Sequence, residues 1–318
     1  MTQQEPVSEQ SPGTGGARSV GELPLLVTVQ LPDGAGFPVR ALRRADAAQD
    51  GPAAPGPAPA VLILPAMGTP ARYYRAFAHQ LHGEGLTALT VDLRGQGEST
   101  PRVTDAAAVD HGYRVIVEQD LVAVIEAIRA ELGPEPPLYL LGHSLGGQLG
   151  LVHAALGIGP GVDGVALVAS GSVWFRAYGR LRGPLLLVGE LFAAATATLL
   201  GRWPGVRLGF GGNQSKGVMR DWARQGRTGR YAATGSRHDY EAALRALTLP
   251  VLAVSVEGDT LAPAPAVDHL VGKVPGARLT RRHYSAQEAG GHLDHFAWTR
   301  AGGALAKRVA AWASPGGG

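Results

Sequence analysis

Residues 138–154 read Leu-Tyr-Leu-Leu-Gly-His-Ser-Leu-Gly-Gly-Gln-Leu-Gly-Leu-Val-His-Ala, and few folds can accommodate them. The apolar run ending at Leu141 has the character of a buried parallel strand, and apolar residues then return from Leu145 at helical spacing. Ser144 sits at the junction, inside Gly142-His143-Ser144-Leu145-Gly146. A G-x-S-x-G sequence makes chemical sense where a strand turns sharply into a helix. The serine takes a strained backbone conformation that is tolerable only if its neighbours two residues away lack side chains. Its hydroxyl then projects from the sheet edge, beside the free N–H groups and positive dipole end of a helix. On its own the pattern is a weak signal, so its position along the chain must carry the reading.

That position lies within a regular alternation. Residues 25–30 and 37–42 read as two strands around the turn-forming Pro32-Asp33-Gly34, and 60–64 as a central strand. A strand over 86–91 leads into Asp92-Leu93-Arg94-Gly95-Gln96-Gly97-Glu98-Ser99, and residues 113–132 carry one apolar helical stripe. Further strands are expected at 162–169, 250–256 and 277–283, with helices at 264–271 and 296–312. This predicts an α/β fold: a mostly parallel, doubly wound sheet with helices on both faces. Residues 171–245 interrupt the rhythm with Trp174, Trp203, Trp222, Phe175, Phe192 and Phe210, as a helical cap inserted over a pocket would. The tail 1–22 lacks an apolar block and reads as disordered, which leaves one domain over 23–318; residues 45–59 read as a mobile linker.

Composition narrows the chemistry. The chain has no cysteine, so disulfides, thiolate catalysis and cysteine metal sites are excluded. The net charge is only +3, and the arginines are scattered rather than gathered into the basic face of a nucleic-acid binder. No secretory signal is evident, so a cytoplasmic location is the default. Residues 184–200 are mostly apolar with Glu190 in the middle, a costly place for a carboxylate in lipid. They read as a cap helix beside an apolar pocket in preference to a span, and membrane-surface contact, though not expected, stays open.

A serine hydroxyl needs a base, and the base needs an orienting acid. In a doubly wound sheet both should come from loops at the carboxyl ends of later strands. Asp259 follows Gly258 at the end of one such strand, with Glu257 as the nearby rival acid. His292 follows two glycines, which permit a close approach to the serine, after the last strand, giving the order Ser, Asp, His; His295 is the alternative base. His143 neighbours the serine but should point elsewhere. The oxyanion donors should be the N–H of Leu145 and that of Met67, in the loop after the strand ending at Leu64.

With these residues assembled, the chain resembles a serine hydrolase of the α/β-hydrolase superfamily. More narrowly, it is similar to a bacterial group of predicted α/β-hydrolases related to serine aminopeptidases and esterases. The likeness is carried by Pro65-Ala66-Met67-Gly68 with Tyr73-Tyr74, the 92–99 loop, Gly142 to Gln148, Trp203-Pro204-Gly205, Trp222-Ala223-Arg224, and Gly291-His292. The chain departs from the group at 213–216 and at Asp294. The resemblance implies Ser144 as nucleophile, His292 as general acid/base, Asp259 as orienting acid, Met67 and Leu145 as oxyanion donors, and 171–245 as a cap controlling entry. No metal or organic cofactor is called for. The expected partner is a small acyl substrate with a hydrophobic part, cleaved as an ester or thioester. Two other readings stay open: an acyltransferase or cyclase using the same three residues, and a binding protein without catalysis.

Overall fold

The computed structural model describes residues 21–44 and 57–314. Most of the tail and the linker of the sequence reading lie outside the described residues.

Eight strands form one sheet in the order β1-β2-β4-β3-β5-β6-β9-β10. They are β1 (Leu25–Gln30), β2 (Gly36–Leu42), β3 (Ala60–Leu64), β4 (Thr87–Thr90), β5 (Leu138–His143), β6 (Gly164–Val168), β9 (Pro250–Val256) and β10 (Arg278–Tyr284). From β4 to β10 every pairing is parallel; β1 and β2 join antiparallel at one edge. The central strands are apolar throughout because both faces are covered. Along β3, Leu62 and Leu64 enter the core on one face while Val61 and Ile63 enter that on the other, the period-two alternation of a strand buried on both sides. Each such side chain contributes about 1.5–3 kcal/mol by leaving water.

One face is covered by α3 (Leu121–Leu132) and α4 (Leu145–Leu156), the other by α1 (Arg75–Gly83) and α11 (Gly303–Ala313). The helix expected over 113–132 begins as a turn, α2 (Tyr113–Val115), and passes through a π-helical turn at Ile116–Asp120 into α3. The expected closing helix is broken. A 3-10 turn at Ala297–Thr299 precedes α11, and Gly302 marks the break: a Cβ there would lie 2.6 Å from the Phe77 ring.

Between β6 and β9 the chain leaves the sheet. It forms a 3-10 turn (Phe175–Tyr178), α5 (Gly179–Leu200), a two-stranded ribbon of β7 (Arg202–Pro204) and β8 (Asn213–Ser215) around the single turn α6 (Gly205–Leu208), then α7 (Lys216–Thr228) and α8 (Tyr240–Ala246). α9 (Ala264–Val271) and the short α10 (Ala286–Ala289) complete the helices.

Candidate active site

β5 ends at His143 and α4 begins at Leu145, which leaves Ser144 alone in the turn with φ 52° and ψ −118°. Only close-packed glycines allow this. A Cβ on Gly142 would sit 2.1 Å from Gly147 Cα, and one on Gly146 2.3 Å from the Leu64 carbonyl oxygen. The Ser170 hydroxyl donates to the Ser144 carbonyl at 2.7 Å and fixes the turn from the neighbouring strand end.

Ser144 lines a cavity of about 360 Å³ whose wall also includes Met67, Leu145 and His295. Asp259, just past β9, is buried, and its Oδ1 accepts from the N–H groups of Leu261 and Ala262, both at 2.8 Å. Its Oδ2 accepts from His295 Nδ1 at 2.9 Å. That bond holds the imidazole with its proton on Nδ1 and leaves Nε2 as an acceptor.

The structure thus places His295, and not His292, beside Asp259 on the wall of the Ser144 cavity, and the expectation for His292 is corrected. The His292 side chain is 83% exposed, whereas that of His295 is 6% exposed. His292 reaches only Asp294, at 3.8 Å. The two glycines before it serve another purpose. Gly290 is the left-handed C-cap of α10, and neither Gly290 nor Gly291 has anything near a would-be Cβ, so this corner lies on the open surface. The chain turns inward only afterwards. Leu293 is buried, and Asp294 Oδ1 accepts from the N–H groups of Phe296 and Ala297. That cap winds the chain into the 3-10 turn and brings His295 to the sheet edge. Glu257, the rival acid, accepts from the Ala286 N–H at the start of α10 and belongs to that helix.

The two expected oxyanion donors, Met67 and Leu145, lie on the same wall. Leu145 is the first residue of α4, so its N–H has no partner within the helix. Met67 follows the end of β3, and neither N–H donates to another group among the described residues. The Met67 loop is fixed from two directions. The Ala66 N–H donates to the Tyr74 hydroxyl at 2.9 Å, and the Ala71 N–H donates to Asp92 Oδ1 at 2.6 Å. Gly68 and Gly211 then pack backbone on backbone, with φ +69° and +67°, where the inserted segment meets the loop.

Sequence reasoning did not anticipate the place of Tyr74. Its hydroxyl accepts from Ala66 and so donates its own proton to His143 Nδ1, 2.7 Å away. Burial pushes the Tyr74 phenol up, which keeps that proton in place, and pushes the His143 imidazole well below its ordinary range, which keeps it neutral. The His143 ring packs 4.6 Å from that of His295. His143 thus packs against His295 and does not take its place beside Asp259. The only sequence signal was a tyrosine ten residues past the end of a buried strand, too general to be read alone.

The Asp92 loop has a structural task. Arg94 is buried and donates to both oxygens of Asp120 and to Asp33 Oδ2, while Asp92 Oδ2 accepts from the Glu98 N–H. The π-helical turn before α3 presents Asp120 to that guanidinium.

The sequence profile of the alpha/beta hydrolase family matches residues 61–308. No curated protein matches the chain significantly. Among solved structures, a soluble variant of monoglyceride lipase from Saccharomyces cerevisiae is similar with a TM-score of 0.67 at 16% identity, over 96% of this chain and 98% of that one. The thioesterase domain from the curacin biosynthetic pathway gives 0.53 at 16% identity, over 90% and 98%. An esterase from Exiguobacterium antarcticum gives 0.54 at 17%, over 90% and 98%. At these identities the likeness is one of fold. The family match, the sheet order and the serine turn at the end of β5 agree: the chain belongs to the alpha/beta hydrolase family.

Proposed function

We propose that this protein is a serine hydrolase that cleaves an ester or thioester with a hydrophobic acyl part. The observation that carries this is the arrangement of Ser144 and an Asp259-paired His295 on one cavity wall, with the unpaired N–H groups of Met67 and Leu145 beside them. Ser144 Oγ attacks the carbonyl carbon as its proton passes to His295 Nε2. The carbonyl oxygen becomes an oxyanion facing the two N–H groups, each of which is worth about 10²–10³ in turnover. His295 then returns the proton to the leaving alcohol or thiol, and an acyl-enzyme remains. Water, deprotonated by the same imidazole, attacks the acyl carbon, and the carboxylic acid leaves Ser144. Asp259 stays ionised throughout and keeps the ring oriented.

The rest of the wall supports an apolar acyl group: Leu186, Phe210, Trp222, Leu261 and Phe296 face the cavity. The lipase, thioesterase and esterase named above act, by name, on bonds of this class.

Covalent labelling with a fluorophosphonate, read by intact mass, tests the reading. Wild type gains one adduct, Ser144→Ala none, and His295→Asn labels about 10⁴-fold or more slowly, while His292→Asn stays within about twofold of wild type. An unlabelled but folded wild type, or a His292 variant that falls as far as the His295 variant, overturns it.

A further inference from the structure

The helix α5 is built the wrong way round for water. Its outward stripe, Leu181, Leu185, Val188, Phe192, Ala195 and Leu199, follows helical spacing and is exposed at every position; its five large members are 60–86% exposed. Its fully buried positions are small residues and one acid, Gly183, Ala193, Ala197 and Glu190, with Leu186 and Leu187 half-buried among them. Its most apolar stretch of 18 residues has a mean hydropathy of 1.6, and only 22% of that stretch is buried. After the helix Val206, Leu208 and Phe210 are exposed as well, and Phe210, Leu261 and Phe296 line the Ser144 cavity. Exposed apolar side chains gathered along one helix face in this way mark a contact surface.

Its surroundings decide the occupant. Within 171–210 the charged residues other than Glu190 are Arg176, Arg180, Arg182, Arg202 and Arg207, all exposed, and none forms a salt bridge among the described residues. Arg180 and Arg182 stand at one end of the outward stripe, Arg202 and Arg207 beyond the other. A second copy related by a two-fold axis would bring arginine against arginine. An anionic lipid surface supplies what both parts lack, acyl chains for the leucines and phosphates for the guanidinium groups. A span is excluded by the packing of α5 on α7, where a Cβ on Gly226 would lie 1.8 Å from the Glu190 carboxylate.

We infer that the outer face of α5 is a docking surface for an anionic bilayer, with the helix lying in the plane of the headgroups. The surface goes beyond the hydrolase reading and does not depend on Ser144.

The test is flotation of the full chain with vesicles of phosphatidylcholine alone and of phosphatidylcholine mixed with phosphatidylglycerol. Wild type and Ser144→Ala float with the anionic vesicles, and high salt weakens this about tenfold or more. Leu185→Gln/Val188→Gln/Leu199→Gln lowers the bound fraction about tenfold or more, with an unchanged circular dichroism spectrum and light-scattering mass. Because the chain has no cysteine, Leu199→Cys accepts a single environment-sensitive dye, whose emission shifts to the blue on anionic vesicles. That readout stands even if the triple variant fails to fold. Absence of flotation, flotation that the triple variant retains, or a wild-type dimer that the triple variant dissociates without any vesicle binding each overturns the inference; the last assigns the surface to a second copy.

Discussion

Replacing Glu190 with Gln removes one titration from the folded protein and leaves its shape almost unchanged. Both carboxylate oxygens are buried without a hydrogen-bond partner among the described residues, on the inner face of α5 against Gly226 of α7. Burial pushes the carboxyl from an ordinary value of 4.5 up to about 9. Between those values the folded protein holds a proton that the unfolded chain has released. Stability therefore falls as pH rises through this window, by about 1.4 kcal/mol per unit. From 4.5 to pH 7 this amounts to about 3 kcal/mol, a large part of a typical domain's stability of about 5–15 kcal/mol. In Glu190→Gln the slope is absent, and the fixed cost of a buried unpartnered amide, about 1–3 kcal/mol, does not change with pH. Urea unfolding of both proteins at intervals from pH 5.5 to 8.5 gives the difference directly, because every other titrating group is common to both. The variant should gain about 4 kcal/mol on wild type across that range and be the more stable protein at its alkaline end. Two parallel stability curves would refute the reasoning and require a charged, hydrated carboxylate in the fold.

Two further substitutions test the supports of the site. Arg94→Met leaves the Asp120 carboxylate buried without its bidentate partner and should lower stability by about 3–5 kcal/mol, with part recovered in Arg94→Met/Asp120→Asn, as read by urea unfolding. Gly68→Ala places a Cβ 2.3 Å from the Gly211 backbone at a φ of +69°. The displaced Met67 N–H should then cost about 10²–10³ in the turnover of a soluble ester, with little change in KM.

What could be read in advance depended on how local its cause was. The limits of β3, β9 and α9 are those expected, because a strand covered on both faces must be an unbroken apolar run, and Pro263 opens the helix that follows. The serine turn was legible for a similar reason: Gly142 and Gly146 are demanded by contacts with residues 142–147 and with the adjacent β3. Asp259 followed from its place at a strand end. His295 did not, since the choice between two histidines three residues apart depends on which of them follows the Asp294 cap. Two glycines before His292 looked like room for a close approach, whereas one caps α10 and both face open space. Leu293 and Asp294 held the information, one as an inward apolar anchor and the other as a turn former, but their effect exists only once α10 has been placed.

The rotation of α5 about its own axis was hidden for a different reason. From Gly183 to Leu200 its sequence shows one charge among apolar residues, and a lone carboxylate is ordinarily read as marking the side that faces water. Turned that way, the helix would bring Leu185 and Val188 against α7 and release Glu190, and both changes are favourable in water. The close approach of the two helices forbids it. Gly183, Ala193 and Ala197 lie inward, and Gly226 packs so closely on Glu190 that a Cβ there would lie 1.8 Å from the carboxylate. Small residues on the buried side thus fix the orientation, the carboxyl remains neutral beneath the helix, and the leucines are left outside. The cost shows in both places at once, as a stability that declines with pH at Glu190 and as an apolar face that the described residues leave uncovered at Leu185 and Leu199. An apolar phase with a negatively charged surface relieves the second cost without requiring α5 to leave α7.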